Sequence, residues 1–248
     1  MKISIITVVF NGENTIEDCI RSVNSQTYND IEHIIIDGKS TDNTVTLING
    51  YKSDISIFVS EKDDGIYDAM NKGISMATGD VIGILNCDDL YQDADAISDI
   101  MKHFKYDPNL DILYGNLVYV KSNNINKVIR KWKSTTYHKS FFENGNVPPH
   151  PSLFLKKKIY LEAGYFDLQF KLAADYEFML RIFKKYDYTS KYMNRIIVRM
   201  RLGGQTNKSL TNIVKQNKEI IKSWKVNNIK LPILLMPLRF IKRIIQFL

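Results

Sequence analysis

A chain of 248 residues, 44% hydrophobic and 25% charged, can bury one large core or two small ones, which excludes a disordered protein. Its 34 basic against 27 acidic residues leave a formal charge of +7, which suits a polyanionic partner: a membrane surface, nucleic acid or a phosphorylated substrate. Cys19 and Cys87 are too few for a disulfide framework and have no zinc spacing, so a reducing compartment is the default.

The N-terminus, from Met1 to Phe10, is apolar but short, lacks a small-residue cleavage site and ends at Asn11-Gly12, so it reads as a strand and not as a signal peptide. Ile3 to Phe10 is near-continuously apolar, the pattern of a parallel strand covered on both faces. A helix is predicted from Thr15 to Ser25, because Ile16, Cys19, Ile20 and Val23 recur at i, i+3, i+4 and i+7 while Glu17, Asp18 and Arg21 face water. The next strand runs from Glu32 to Ile36. Ser40 and Thr41 are the expected N-cap oxygens of a short helix over Asn43 to Ile48. Ile55 to Ser60 reads as a third strand, and Ile66 to Ala77 as a helix closed by Thr78-Gly79. Val81 to Leu85 is the fourth strand and delivers Asn86-Cys87-Asp88-Asp89. This alternation implies right-handed crossovers and an α/β fold with a mostly parallel sheet.

Asn11, Asp37, Asp63-Asp64 and Asp88-Asp89 then stand at the carboxyl ends of successive strands, the edge where open α/β sheets bind ligands. Asp and Asn also favour strand-to-helix turns for local reasons, but four such positions together weigh against that account. Asp37 is a candidate acceptor for the N–H and O–H donors of a base or ribose. The adjacent carboxylates of Asp88 and Asp89, at the mouth of a buried strand, suit Mg²⁺ or Mn²⁺ shared with substrate phosphates. Two phosphate motifs are excluded. Gly38-Lys39-Ser40 mimics the tail of a Walker A loop, but the glycine required upstream falls at His33, and no G-x-G-x-x-G follows the first strand.

Four segments carry a resemblance: Ser4 to Asn11, Ile36 to Asp42, Asp64 to Gly73 and Leu85 to Asp89. In order and spacing they resemble the motifs of family 2 glycosyltransferases, above all those of bacterial enzymes that build O-antigen, capsule or colanic-acid-type polysaccharides. The likeness is strongest over residues 1–90 and continues more weakly to 205. It implies a GT-A fold, that is, a Rossmann-like, mostly parallel sheet flanked by helices. Residues 1–100 would form the nucleotide-sugar half and 101–205 the acceptor half; 206–248 lie beyond the likeness and read, from their own pattern, as a helical extension that associates with membrane.

By the same resemblance, Asp37 contacts the nucleotide base, Phe10 lies beside that base with Asn11 following it, and Asp88 and Asp89 hold the ribose and the divalent cation, Mn²⁺ or Mg²⁺, that bridges the diphosphate. Asn86 stands where the common D-x-D-D form has its leading aspartate, which leaves one charge fewer. Asp64, Tyr67, Asn71 and Lys72 fall in the stretch that crosses the donor's diphosphate-sugar side. That stretch also reads as a helix packing Ile66, Met70 and Ile74 at i, i+4 and i+8, with Lys72 an ordinary surface residue.

In the second half, Asp111 to Val120 alternates as a strand, and Lys127 to Trp132 pairs with it through the turn-like Ser122-Asn123-Asn124. Val147-Pro148-Pro149-His150-Pro151 is expected to follow an extended path, because proline opposes helix; His150 reads as a substrate contact or as a structural hydrogen-bonder. Asp175 opens a helix with an apolar face of Tyr176, Met179, Leu180 and Phe183, where a first-turn carboxylate is favoured by the helix dipole. By resemblance Asp175 matches the second acid of the family's E-D motif, the general base, with Ala174 in place of the glutamate. Arg199, Arg201 and Gly203-Gly204-Gln205-Thr206 follow a strand from Arg195 to Leu202, and read either as a loop folding over the diphosphate or as a plain basic loop.

The resulting expectation is an inverting, metal-dependent glycosyltransferase at the cytoplasmic face of the membrane. Asp175 would take the acceptor hydroxyl's proton, and the cation on Asp88 and Asp89 would stabilise the departing nucleoside diphosphate. The expected partners are a nucleotide-sugar donor, a glycan or lipid-linked oligosaccharide acceptor and the membrane surface, with no nucleic acid. Residues 231–248 hold two prolines and three basic residues, a poor span. Beyond Leu238, Arg239, Lys242, Arg243 and Gln246 gather opposite Phe240, Ile241, Ile244, Ile245, Phe247 and Leu248. That is the pattern of a helix lying in a membrane interface with its cations toward the headgroups, or of one docking on its own core or a second subunit. Among rivals, a sugar nucleotidyltransferase would carry a glycine-rich, basic loop near its N-terminus, which is absent, and a glycoside hydrolase would place its carboxylates across a cleft. A non-catalytic nucleotide-sugar-binding or membrane-docking protein stays open.

Overall fold

A computed structural model describes residues 1–203 and 210–246 of the protein. Its first strand, β1 (Ile3–Val9), is buried along its whole length: Ile6 and Val8 enter one core, and Ile3 and Ile5 enter another on the opposite face. That is the two-residue alternation of a strand covered on both sides. β2 (Ile31–Asp37), β3 (Ile57–Ser60) and β4 (Val81–Ile84) run parallel to β1, joined by α1 (Ile16–Asn24), α2 (Thr44–Asn49) and α3 (Ile66–Met76). As the periodicity predicts, α1 buries Ile16, Cys19, Ile20 and Val23. The start of α2 differs from expectation. Its N-cap is Asn43, without a side-chain cap bond, and the residue before it, Asp42, accepts from the Thr44 N–H at 3.0 Å and the Thr44 hydroxyl at 2.5 Å, while Ser40 and Thr41 are drawn away into hydrogen bonds with Asp37 and Asn11.

After β4 come β5 (Asp89–Tyr91), α4 (Ala96–Tyr106), the hairpin of β6 (Ile112–Lys121) and β7 (Asn124–Trp132), β8 (Leu153–Lys156), α5 (Lys157–Ala163), α6 (Ala174–Lys185) and β9 (Ser190–Arg201). The strands belong to one sheet of order β3-β2-β1-β4-β8-β6-β9-β5, with β7 beside β6. β8 is antiparallel to both β4 and β6, so β6 and its parallel neighbour β9 resume the direction of β1 to β4. Among the described residues, six of nine strands therefore share one direction and one carboxyl edge. The proline segment is not wholly extended: His150–Ser152 makes one 3₁₀ turn, with Pro151 at its start where a missing N–H costs nothing.

The tail packs on the same core. α7 (Leu210–Val226) inserts Trp224, fully buried, among residues of α3 and α6, and α8 (Leu235–Ile245) adds Leu235. In the seating of α8 one cation of the polar sector turns inward: the Arg239 guanidinium lies 4.7 Å from the centre of the Tyr176 ring, while Lys242 is exposed. Just past the helix the Gln246 carbonyl accepts from the Lys131 N–H at 3.0 Å. Phe240, Ile241, Ile244 and Ile245 face outward. Phe247, Leu248, Gly204, Gln205 and Thr206 lie outside the described residues.

Candidate active site

Three groups of side chains lie toward the carboxyl edge. At the first, Asn11 takes a left-handed φ of 51° that turns the chain out of β1, a conformation asparagine tolerates better than most residues. Its side-chain oxygen accepts from the Thr41 N–H at 2.8 Å, and its own N–H donates to Ser40 Oγ at 2.8 Å. Asp37 is fully buried at the end of β2, accepting from the Ser40 N–H at 3.1 Å, Ser40 Oγ at 2.5 Å and Ser60 Oγ at 2.6 Å. Asn11 and Asp37 thus knit the loops after β1, β2 and β3 into one floor. Above it the Phe10 ring is 58% exposed. Gly38 leaves room between that ring and Asp63: a Cβ there would come within 2.5 Å of Asp63 Oδ2 and 3.5 Å of Phe10 Cδ2.

The second group follows β4. Asp88 is half-buried and Asp89 fully buried. Burial pushes both carboxyls above the usual range, Asp89 further because Asp88 stands beside it, while the Arg201 guanidinium pulls both down. Arg201, at the end of β9, donates to the Asp88 carbonyl at 3.1 Å and pairs with Asp18 Oδ2 at 2.5 Å. Asp18 is exposed, as predicted, and its carboxylate also reaches Arg201. The Asn86 amide donates to Asp89 Oδ2 at 3.3 Å. Asn86 Oδ1, Asp89 Oδ1 and Arg201 Nε are buried with no hydrogen-bond partner among the described residues. Buried polar atoms are rarely left so.

Two carboxylates and an amide oxygen are hard donors, and they fit Mg²⁺ or Mn²⁺. Among the described residues no three His, Cys, Asp or Glu side chains are placed to hold a metal ion, so further oxygens would come from water or a substrate. Arg199 lies elsewhere, on Gln92 Oε1 at 3.0 Å and Asn126 Oδ1 at 3.1 Å.

The third group surrounds Asp175 in the first turn of α6. Tyr67 donates to its Oδ1 at 2.9 Å. Burial and the Asp175 charge raise the Tyr67 phenol well above its ordinary range, so it stays a donor. The Asn71 amide is occupied by both backbone groups of Phe166, at 2.9 and 3.0 Å, and Phe166 packs against Tyr67 with ring centres 5.6 Å apart. Lys72 pairs with Glu61 at 2.8 Å and Asp68 at 3.5 Å. Asp64 is exposed at the start of this stretch. His150 stacks edge-on against Phe166 at 5.9 Å; burial lowers its pKa while the Asp175 charge raises it.

Support for Asp175 also comes from the tail. Glu219 of α7 accepts from the N–H groups of Lys171, Leu172 and Ala173 at 3.0, 2.8 and 2.9 Å, bracing the approach to α6, and Trp224 Nε1 donates to Tyr176 Oη at 3.0 Å. Of the predicted residues, the structure brings Asp175 and Tyr67 together and sets Asp88, Asp89 and Arg201 together, while Asn71 and Lys72 serve the protein's own packing. Glu219 escaped notice although it is the only acidic residue after position 205, a legible oddity in a basic tail.

The Glycosyl transferase family 2 model matches residues 4–160. An uncharacterized glycosyltransferase of Mycobacterium tuberculosis is 31% identical over 180 residues, covering 72% of this chain and 68% of its own length. A PGL/p-HBAD biosynthesis glycosyltransferase of Mycobacterium bovis is 26% identical over 197 residues, 78% of this chain and 74% of that one. A mannosyltransferase from Pyrobaculum calidifontis, solved with GDP-Man and Mn²⁺, is similar in fold with a TM-score of 0.66 at 15% identity, over 96% of this chain and 68% of that one.

Proposed function

The chain belongs to Glycosyl transferase family 2, and from that premise we propose that it is an inverting enzyme of bacterial surface polysaccharide synthesis, as in O-antigen or capsule. It moves a sugar from a nucleotide-sugar donor to a hydroxyl of a glycan or lipid-linked oligosaccharide at the cytoplasmic face of the membrane. The observation that carries this reading is a pair of side-chain arrangements: Tyr67 holds Asp175 in the first turn of α6, and Arg201 at the end of β9 sits on the Asp88 carbonyl. The GDP-Man and Mn²⁺ bound by the structural neighbour support a sugar-nucleotide donor and a divalent cation.

In this reading the base and ribose lie over Phe10, Asn11 and Asp37, with Asp63 packed beside Gly38. Exposed Asp64 borders the sugar side, and Tyr67, Asn71 and Lys72 support that wall. Asp88 and Asp89, with Asn86, would hold the cation, which when bound supplies positive charge against the diphosphate. Arg201 contributes fixed positive charge at the same end. With Tyr67 on Oδ1, Asp175 has Oδ2 left to accept the acceptor's proton. The acceptor oxygen bonds to the anomeric carbon as the bond to the β-phosphate oxygen breaks, the electron pair leaves with the nucleoside diphosphate, and the configuration inverts.

The test is Asp175→Asn, read with thermal shifts for UDP-, GDP- and dTDP-sugars with and without Mn²⁺, since a ligand of the native state raises its stability. Donor-induced shifts should persist while transfer is lost. Unchanged transfer would remove Asp175 from the mechanism, and no shift with any of the donors would sink the donor site.

A further inference from the structure

The charge of the chain is not spread evenly. Residues 206–248 contain nine of the 34 basic residues and one of the 27 acidic ones, so this segment carries +8 of a chain whose total is +7. Its single acid, Glu219, is engaged by three backbone N–H groups. Lys222, Lys225, Lys230 and Lys242 are exposed.

Within this basic segment α8 is seated in an unusual way for an amphipathic helix. Its inward contacts are mixed: Leu235 enters the core, Arg239 lies on Tyr176, and just past the helix the Gln246 carbonyl accepts from the Lys131 N–H. Outward it presents Phe240 at 66%, Ile241 and Ile244 at 50% and Ile245 at 53% exposure, extended by Ile233 at 96% and Leu234 at 62%. Large apolar side chains gathered on one face mark a docking surface. No helix among the described residues is long and apolar enough to cross a membrane.

We propose that this outward face of α8, with Ile233 and Leu234, docks in the interfacial layer of a bilayer carrying anionic headgroups, with the exposed lysines of α7 and α8 meeting the phosphates. The charge decides between occupants. A second copy of this chain would bring an equally basic segment against this one, whereas an anionic lipid surface complements it. Apolar insertion and basic flanks together give the two signals that stable peripheral binding needs. The inference rests on the glycosyltransferase reading only for the lipid-linked acceptor it would meet there. It also specifies the seating: Arg239 clamps the docked helix to α6, the helix that carries Asp175.

Co-sedimentation of the full chain with phosphatidylcholine vesicles, with and without phosphatidylglycerol, tests this. Binding should require the anionic lipid and weaken with salt. The double variant Phe240→Ser, Ile244→Ser should lose binding about tenfold or more, with its melting temperature and its sugar-nucleotide thermal shift unchanged, so a failed donor site and a failed docking surface give different results. Failure of the parent chain to bind anionic vesicles, or equal binding by the double variant, would overturn the proposal. So would a concentration-dependent dimer that the double variant abolishes without any vesicle binding.

Discussion

Asp175 and Tyr67 lie 108 residues apart and meet at 2.9 Å. The phenol fixes one carboxylate oxygen, so its loss should cost geometry and not donor affinity. Tyr67→Phe is expected to lower kcat about tenfold with KM for the donor unchanged, and steady-state kinetics against donor concentration separates the two. A fall in donor affinity alone would instead place Tyr67 in the donor contact that the sequence suggests. Asp88, Asp89 and Asp175 stand out in the sequence because strand ends and helix starts are local features. Tyr67 and Arg201 stand out as well, as donor contacts, but their bonds to Asp175 and Asp88, and the place of Glu219, are set by topology and leave no local signal.

His33 gives a residue-scale prediction of another kind. It is buried in β2 with Nε2 3.0 Å from Thr7 Oγ1, and burial lowers its pKa to about 4. The unfolded chain, with an ordinary pKa near 6.5, then binds more protons than the folded one between those values. This contribution to stability is whole above pH 6.5 and falls as pH drops toward 4, by about 3 kcal/mol at the most. Denaturant melts at pH 7.5 and 5 should show the loss, and His33→Gln should flatten that part of the slope.

At the scale of elements, β1 to β4 and their helices were legible because strands buried on both faces are continuously apolar and helices lying on a sheet carry a 3.6-residue stripe. α4 has the same stripe, burying Ala96, Ile97, Ile100, Met101 and Phe104, although it bears no motif. The antiparallel insertion of β8 between β4 and β6 was not readable, since pairing partners distant in sequence leave no local period. Nor was the closeness of α3 to the sheet. A Cβ on Gly73 would lie 2.4 Å from Ile6 Cγ2, so this glycine lets the helix settle onto β1. Gly73→Ala should therefore destabilise the protein by about 1–3 kcal/mol, although alanine is the better helix former. A higher melting temperature in this variant would show that α3 has slack to move outward.

For the molecule as a whole, the question is whether the tail is an attachment to a finished catalytic domain or part of its working wall. Composition separates residues 206–248 by charge, but packing does not: Trp224 is fully buried in the core that α3, α6 and the sheet share. Asn227 donates to Glu177 Oε1 at 2.9 Å, and Glu177 also holds Arg181, which ties the end of α7 to α6. Glu219 bears most directly on the proposed base, because the three N–H groups it accepts belong to Lys171, Leu172 and Ala173, immediately ahead of the turn that presents Asp175. Glu219→Ala leaves those donors without their carboxylate, a loss of about 1–3 kcal/mol, and frees the approach to α6 to shift. The expected outcome is a lower kcat with unchanged thermal shift by the sugar nucleotide, because Phe10, Asp37, Asp88 and Asp89 sit on other elements, with Glu219→Gln retaining an acceptor oxygen and recovering part of the rate. Equal losses in kcat and donor binding would mean that the tail supports the whole edge, and no loss in either would mean that Asp175 is held by α6 and Tyr67 without it.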